Sequence, residues 1–177
     1  MNVGGKTFRG NGNSLDGTNC HLIVGFKENV CKSYWGASDN VYANSLIKTV
    51  ENNVYNALPA SIKPIFKKFD VVTGVFSSGS TSGGTNATTQ QYFTSPAEKE
   101  IFGSRTNSTS NEANALTQFT WFATAANRKH INISSSWWER SPSYNVNSTV
   151  CIVSSNGAAE REYYTYDVYG VAPFGCI

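Results

Sequence analysis

The side chains best suited to nucleophilic, redox or metal chemistry are four cysteines and two histidines, and their spacing argues against each of these. Cys20, Cys31, Cys151 and Cys176 allow three pairings, and none stands at a short metal-ligand spacing from another. His21 and His130 lie far apart in the chain. A zinc site needs about four converging ligands, so none is expected here. Calcium needs about six to eight oxygen ligands, and no acidic cluster would supply them. Buried free thiols are the simpler expectation for the cysteines, with two disulfides as the alternative. Gly5-Lys6-Thr7 echoes the end of a phosphate loop, but the glycine that should stand five positions earlier has no counterpart. No cofactor is expected.

The densest constellation suits recognition instead. Between Ser143 and Tyr169 lie Tyr144, Asn145, Asn147, Thr149, Ser154, Glu160, Glu162, Tyr163, Tyr164, Tyr166 and Tyr169, read here as the ligand-contacting set. Four of these tyrosines fall between positions 163 and 169. Tyrosine gives large, stiff contact area with a hydrogen-bonding tip at low entropy cost, and asparagine, serine and threonine give adaptable polar contacts. In a strand the side chains alternate, so roughly half of the set would face outward. The alternative packs Tyr163–Tyr169 inward against the helices. Trp137 and Trp138 suit sugar stacking, but the expected role is core, one ring on each face of a strand.

Charge and composition narrow the partners. The chain has 177 residues, 14 basic and 12 acidic, for a formal net charge of +2, which argues for neither nucleic acid nor an anionic membrane. Hydrophobic residues make up 40% and charged residues 15%, so one globular domain with a real core is expected. No apolar run approaches the roughly 18–20 residues that span a bilayer, so no membrane insertion is expected. The start, Met1-Asn2-Val3-Gly4-Gly5-Lys6, lacks the apolar segment of a secretory leader. The sequons at Asn86, Asn107, Asn132 and Asn147 are what so Asn-, Ser- and Thr-rich a chain produces by composition.

Elements that would position the recognition set can be read from periodicity. Residues 1–20 are glycine-rich and read as an irregular lead-in to a domain over 21–177. His21–Phe26 is a strand candidate. Ala43, Leu46, Ile47, Val50, Val54, Ala57 and Leu58 form one apolar helical stripe, capped by Asp39 or Asn40 and ended by Pro59, which opens a shorter helix through Ile62, Ile65 and Phe66. Phe69–Phe76 reads as a strand, Ser77–Thr89 as a long polar loop and Tyr92–Thr94 as a buried strand. Ser95-Pro96-Ala97-Glu98 reads as a capping box for a helix that stops at Gly103. Ser104–Asn114 is polar, and Phe119–Phe122 a buried turn or short helix. Strands follow at Ile131–Trp138, Val150–Ser155 and Glu162–Ile177, with Gly157 as a hairpin turn. Helices first and sheet last is an α+β order.

The tail carries a resemblance. Trp137-Trp138-Glu139-Arg140-Ser141-Pro142 and Gly170-Val171-Ala172-Pro173-Phe174 resemble a family of bacterial and phage domains of unknown function whose tails read W-L-R-S-P, then V-x-x-x-G, then G-V-R-P. Tyr92–Glu98 is similar to that family's F-L-L-S-x-x-E element, so the likeness covers roughly residues 40–177. Some members are variable proteins of diversity-generating retroelements. The resemblance therefore implies a C-type-lectin-like fold, two helices packed on a small antiparallel sheet, loop-rich and single-domain. Its C-terminal region, about 134–177, would display a variable patch to a host or bacterial cell-surface protein or glycan. It also implies structural roles for Trp137, Trp138, Arg140, Pro142, Gly157, Gly170, Pro173 and Phe174, and residence on a phage tail or bacterial surface, where homotrimers are common. Glu139 stands where the family has Leu and Ala172 where it has Arg, so the resemblance does not itself supply Arg140 with a salt bridge. Adenine mutagenesis of asparagine codons cannot produce Glu160 or Glu162, which under this reading are template-encoded or derive from lysine codons. The short carboxylate–amide motifs of calcium-dependent lectins are absent, and calcium-independent binding is expected. Two rival readings stay open. One is a relative of formylglycine-generating copper oxidases, using Cys151 and Cys176 on adjacent strands; the other is a structural decoration or pilus-tip module.

Overall fold

A strand-rich tail and a polar, turn-rich middle set where the elements of this chain fall. The computed structural model describes residues 2–3, 6–7, 22–26, 28–36, 39–76, 85–114, 116–130 and 135–177. In chain order the described strands and helices are β1 (Asn2–Val3), β2 (Lys6–Thr7), β3 (Ile23–Gly25), β4 (Cys31–Tyr34), α1 (Leu46–Ala57), β5 (Phe69–Gly74), β6 (Asn86–Gln91) and β7 (Phe93–Thr94). They continue as α2 (Glu98–Phe102), α3 (Ser110–Asn114), α4 (Ala125–His130), β8 (Trp137–Pro142), β9 (Thr149–Val153), β10 (Ala159–Tyr164), β11 (Val168–Val171) and β12 (Phe174–Cys176). Single 3-10 turns occupy Tyr42–Asn44, Lys63–Ile65 and Thr120–Ala123. The class is α+β, in one domain dominated by sheet.

The main sheet has five strands in the order β10-β9-β8-β11-β4. Its neighbours are antiparallel except β8 and β11, which run parallel with Gly170 opposite Trp137. Two helices on a small antiparallel sheet were expected; the sheet is antiparallel but for the β8–β11 pair, and four α-helices lie among the described residues. β8 and β9 are buried at every position, as strands covered on both faces must be. Trp137 stacks toward Phe122 with ring centres 6.0 Å apart, while Trp138 meets Tyr169 edge-on at 4.9 Å. Both indoles are fully buried, and each such ring removes about 150–250 Å² from water.

A second sheet, β3-β12-β7, closes the domain. β12 pairs antiparallel with both neighbours, and Leu22 and Ile177 exchange backbone hydrogen bonds of 3.1 and 3.0 Å. The last strand therefore ties the C-terminus to the start of the domain. β5 and β6 form a two-stranded ribbon from Phe69 opposite Gln91 to Gly74 opposite Asn86.

Several local expectations are corrected. β6 takes the end of the stretch read as a polar loop, of which 77–84 lie outside the described residues. Its side chains alternate between exposed and half-buried up to Gln91, so a solvated ribbon needs few apolar residues. β1 and β2 pair within the region read as irregular, the rest of which is outside the described residues, as are Ile131–Ser134 of the expected strand. Ser45, not Asp39 or Asn40, caps α1, its hydroxyl accepting from the Lys48 N–H at 3.1 Å. The apolar stripe of α1 buries Ile47 but leaves Leu46 42% exposed; the other buried position is Glu51. Ile62–Phe66 makes only a 3-10 turn, and Ser104–Asn114 contains α3. α2 does end at Gly103, whose φ of 74° is the left-handed conformation glycine accepts.

Candidate functional site

The tip between β10 and β11 is held by backbone groups from two distant segments. Thr165, almost wholly buried, donates its N–H to Ser148 at 3.0 Å, and its carbonyl accepts from Trp35 and Gly36 at 3.0 and 3.2 Å. Asn40 fixes the neighbouring loop: its N–H reaches the Asn147 carbonyl at 2.8 Å, and its side-chain amide reaches those of Val146 and Thr149 at 3.2 and 2.9 Å. Asp167 closes the turn, its carboxylate accepting from the Tyr164 N–H at 3.0 Å while its own N–H meets the Tyr164 carbonyl at 2.8 Å.

With Thr165 turned inward, the residues on either side turn out. Tyr164 is 46% and Tyr166 63% exposed, and their rings lie nearly parallel, 6° apart in tilt, with centres 5.0 Å apart. Val168, the first residue of β11 beyond the turn, sits opposite Tyr34 of β4; both are about half exposed. Tyr34, Tyr164, Tyr166 and Val168 thus form a ridge of large apolar side chains on a rigid frame. The exposed Val146 and Leu46 belong to segments tied into the same backbone network, through Asn40 and through the Ile47 N–H on the Trp35 carbonyl.

The other expected contact residues divide. Asn145 and Asn147 are exposed, and Tyr144, Glu160, Tyr163 and Tyr169 are half-buried. Tyr163 donates to the Glu160 carboxylate and meets Tyr169 edge-on at 5.3 Å; the Glu160 bond and partial burial push the Tyr163 phenol up to about 12. Arg161 lies over the Tyr144 ring, 4.7 Å from its centre, and donates to its hydroxyl. Glu162 lies on β10, with its side chain outside the described atoms. Thr149 and Ser154 are corrections, being buried. The Thr149 hydroxyl donates to the Val146 carbonyl at 3.0 Å, and that of Ser154 accepts from the Ala158 N–H at 3.2 Å within the Gly157 turn. Trp137, Trp138, Arg140, Pro142, Gly157, Gly170, Pro173 and Phe174 are all buried. Tyr34 and Val168 were missed. Nothing local marks Tyr34, because only the β4–β11 register brings it to the ridge.

The interior also holds a buried polar cluster that the sequence did not reveal. Arg140 meets both oxygens of Glu100, at 2.6 and 2.9 Å, and also donates to the carbonyls of Val72 and Ser95 at 3.1 and 3.0 Å. Burial alone would pull the guanidinium down, but the Glu100 charge and hydrogen bonds carry it above its ordinary value. Glu98 accepts from the backbone of Thr106, Asn107 and Ser108 and from the Ser108 hydroxyl. The expected capping box is therefore wrong. Ala97 is the cap, Glu100 reaches back to its N–H at 2.9 Å, and Ser95 Oγ has no partner among the described residues. Glu112 accepts from the Gly74 N–H at 2.7 Å and from the Ser141 hydroxyl, while burial pushes it up to about 7. Glu139 is fully buried, and neither of its oxygens finds a donor among the described residues.

The thiols do not behave alike. Cys31 is exposed and free, Cys151 is buried and free, and Cys176 is disulfide-bonded, so neither expectation held for all of them. Burial, then the charges of Glu139, Glu98 and Glu112, push the Cys151 thiol well up. Cys151 lies in the main sheet and Cys176 in the closing sheet, not on adjacent strands. Among the described residues no group of His, Cys, Asp and Glu is arranged to hold a metal ion, and no helix is long and apolar enough to cross a membrane.

Residues 23–177 match the model of a family described as a domain of unknown function, DUF6273. No curated protein and no solved structure matches the chain. Since the match runs from β3 through the last strand, the chain belongs to the DUF6273 family.

Proposed function

We propose that this chain is a non-enzymatic ligand-binding domain of C-type-lectin-like architecture, and that the Tyr34–Tyr164–Tyr166–Val168 ridge, with the exposed Asn145 and Asn147 beside it, is its contact face. The observation that carries this reading is the stacked, half-exposed Tyr164–Tyr166 pair on a backbone tied to Ser148 on one side and to Trp35 and Gly36 on the other. Large aromatic side chains held out on a rigid frame lose little conformational freedom on binding, which is why recognition surfaces favour them.

The partner in this reading is a cell-surface protein or glycan of a host or bacterium, met by a phage tail or a bacterial surface assembly. Binding proceeds without calcium. A template copy of the coding sequence for residues of about 134–177 beside a reverse transcriptase gene would identify the chain as a retroelement variable protein. The functional test is a panel of surface glycans and cell-surface proteins, probed with wild type and with Tyr164→Ala and Tyr166→Ala. Binding by wild type and a loss of about tenfold or more in either variant, at unchanged circular dichroism, is the expected result. Equal signals from all three contradict the proposed face, and no signal throughout favours a scaffolding module.

A further inference from the structure

β4 ends the main sheet, with β11 as its neighbour. The pairing runs through four consecutive residues without a register break, from Cys31 opposite Val171 to Tyr34 opposite Val168. The other edge differs. β10 shifts register between Glu160 and Tyr163, and such a bulge is one way an edge is kept from pairing further.

The direction of each backbone group on β4 follows from β11. Gly170 donates its N–H to the Ser136 carbonyl at 3.0 Å, in keeping with its parallel pairing to Trp137 of β8. Its polar groups therefore point away from β4, and Lys32, opposite Gly170, turns its own N–H and carbonyl away from β11. Tyr34, two residues on, does the same. Neither residue's backbone finds a partner on that side among the described residues. The side chains of Lys32 and Tyr34 share one face of β4, and both are exposed. Gly170 offers Lys32 no cross-strand side chain, and the ammonium makes no ion pair among the described residues.

We propose that β4 is a strand-addition site for an extended peptide segment of the partner, paired antiparallel, with a large apolar side chain opposite Tyr34 and an acidic one two residues later opposite Lys32. The site rests on the reading of the ridge as contact face, because Tyr34 belongs to both, and it makes the partner a protein rather than a glycan. Main-chain pairing to Lys32 and Tyr34 supplies the attachment, and the alternate side chains supply the selection. The regular spacing of N–H and carbonyl groups along the edge matches another strand, which a glycan does not reproduce. An acidic residue opposite Lys32 makes the cross-strand charge pair that the sheet itself leaves unmade. The same lysine guards the open edge against strands that lack one.

The experiment titrates wild type with a peptide of about eight residues, built from threonine and valine, in which isoleucine precedes glutamate by two positions. A second copy is methylated at the backbone nitrogens of that isoleucine and glutamate, which keeps the side chains and removes the pairing donors. The expected result is saturable binding of the first peptide and none of the second. Lys32→Glu, at unchanged circular dichroism, should bind the first peptide about fivefold more weakly and recover when the peptide's glutamate is replaced by lysine. Equal binding of the methylated copy, or no peptide binding by wild type, overturns the site. Dimerisation of wild type that the peptide does not reverse also overturns it, in favour of a second copy on this edge. The ridge is read separately, from Tyr164→Ala and Tyr166→Ala on the glycan and protein panel. Loss there without peptide binding removes the edge site and leaves the ridge. Methylation-sensitive peptide binding without loss there removes the ridge beyond Tyr34 and leaves the edge site.

Discussion

Arg140 and Glu100 face each other through two hydrogen bonds, each side chain 1% exposed, at the junction of β8 and α2. This pair shares the interior with four further buried glutamates at positions 51, 98, 112 and 139. The cluster links α1, α2, α3 and the sheet, so the packing of these elements depends on how those charges are settled.

Breaking the pair should be severe. Arg140→Met strands the Glu100 carboxylate and takes a charged donor from each of the Ser95 and Val72 carbonyls, and is expected to cost about 3–5 kcal/mol in urea unfolding. Adding Glu100→Leu to it removes the stranded charge. The double variant should lose clearly less than the sum of the two single losses.

Glu139 is expected to act in the opposite direction. Burial, then the Glu98 and Glu112 charges, hold its carboxyl well above the ordinary range. A carboxyl raised by folding favours the folded state most at low pH and loses that contribution as pH rises through its folded value. Glu139→Leu should therefore stabilise the protein by about 1–4 kcal/mol, with a larger gain on the alkaline side. Melting curves across pH check both the sign and the trend.

Gly157 lies in the turn between β9 and β10 with φ of 85°, and a Cβ there would stand 2.9 Å from the Ala125 carbonyl oxygen. Gly157→Ala should lose about 1–3 kcal/mol from backbone strain and this contact, measured by chemical denaturation.

Thiol labelling separates the free cysteines. Cys31 is exposed on the edge strand β4, whereas Cys151 is sealed in β9 with its thiol pushed well up. A Cys31→Ser variant should lose the fast-labelling site of the native protein, leaving Cys151 to react only on unfolding.

Much of the frame was legible because local chemistry fixes it. Gly103 and Gly157 stop or turn the chain, and Trp137 and Trp138 fill two faces of one strand, whereas the break of the expected 162–177 strand by a turn at Thr165–Asp167 was not legible. What was not legible depends on distant partners. The spacing Ser95 to Glu98 fits a capping box, yet Glu98 is drawn to the 106–108 backbone and Glu100 serves Ala97 instead. Glu51 looks like a surface residue of an amphipathic helix until Tyr42 and Ser95 close over it. Tyr34 joins the ridge only through pairing with Val168, far along the chain.

The most direct test of the ridge is the equilibrium affinity for the captured partner of wild type, of a Tyr164→Ala/Tyr166→Ala double variant, and of Tyr55→Ala. Tyr55 serves as the control because it stacks on Tyr92 and packs against the group formed by Val24, Phe66 and Phe93, which includes no ridge residue. The account predicts a fall of about a hundredfold or more for the double variant and little change for Tyr55→Ala. Undiminished affinity in the double variant, or an equal loss in the control, would contradict it.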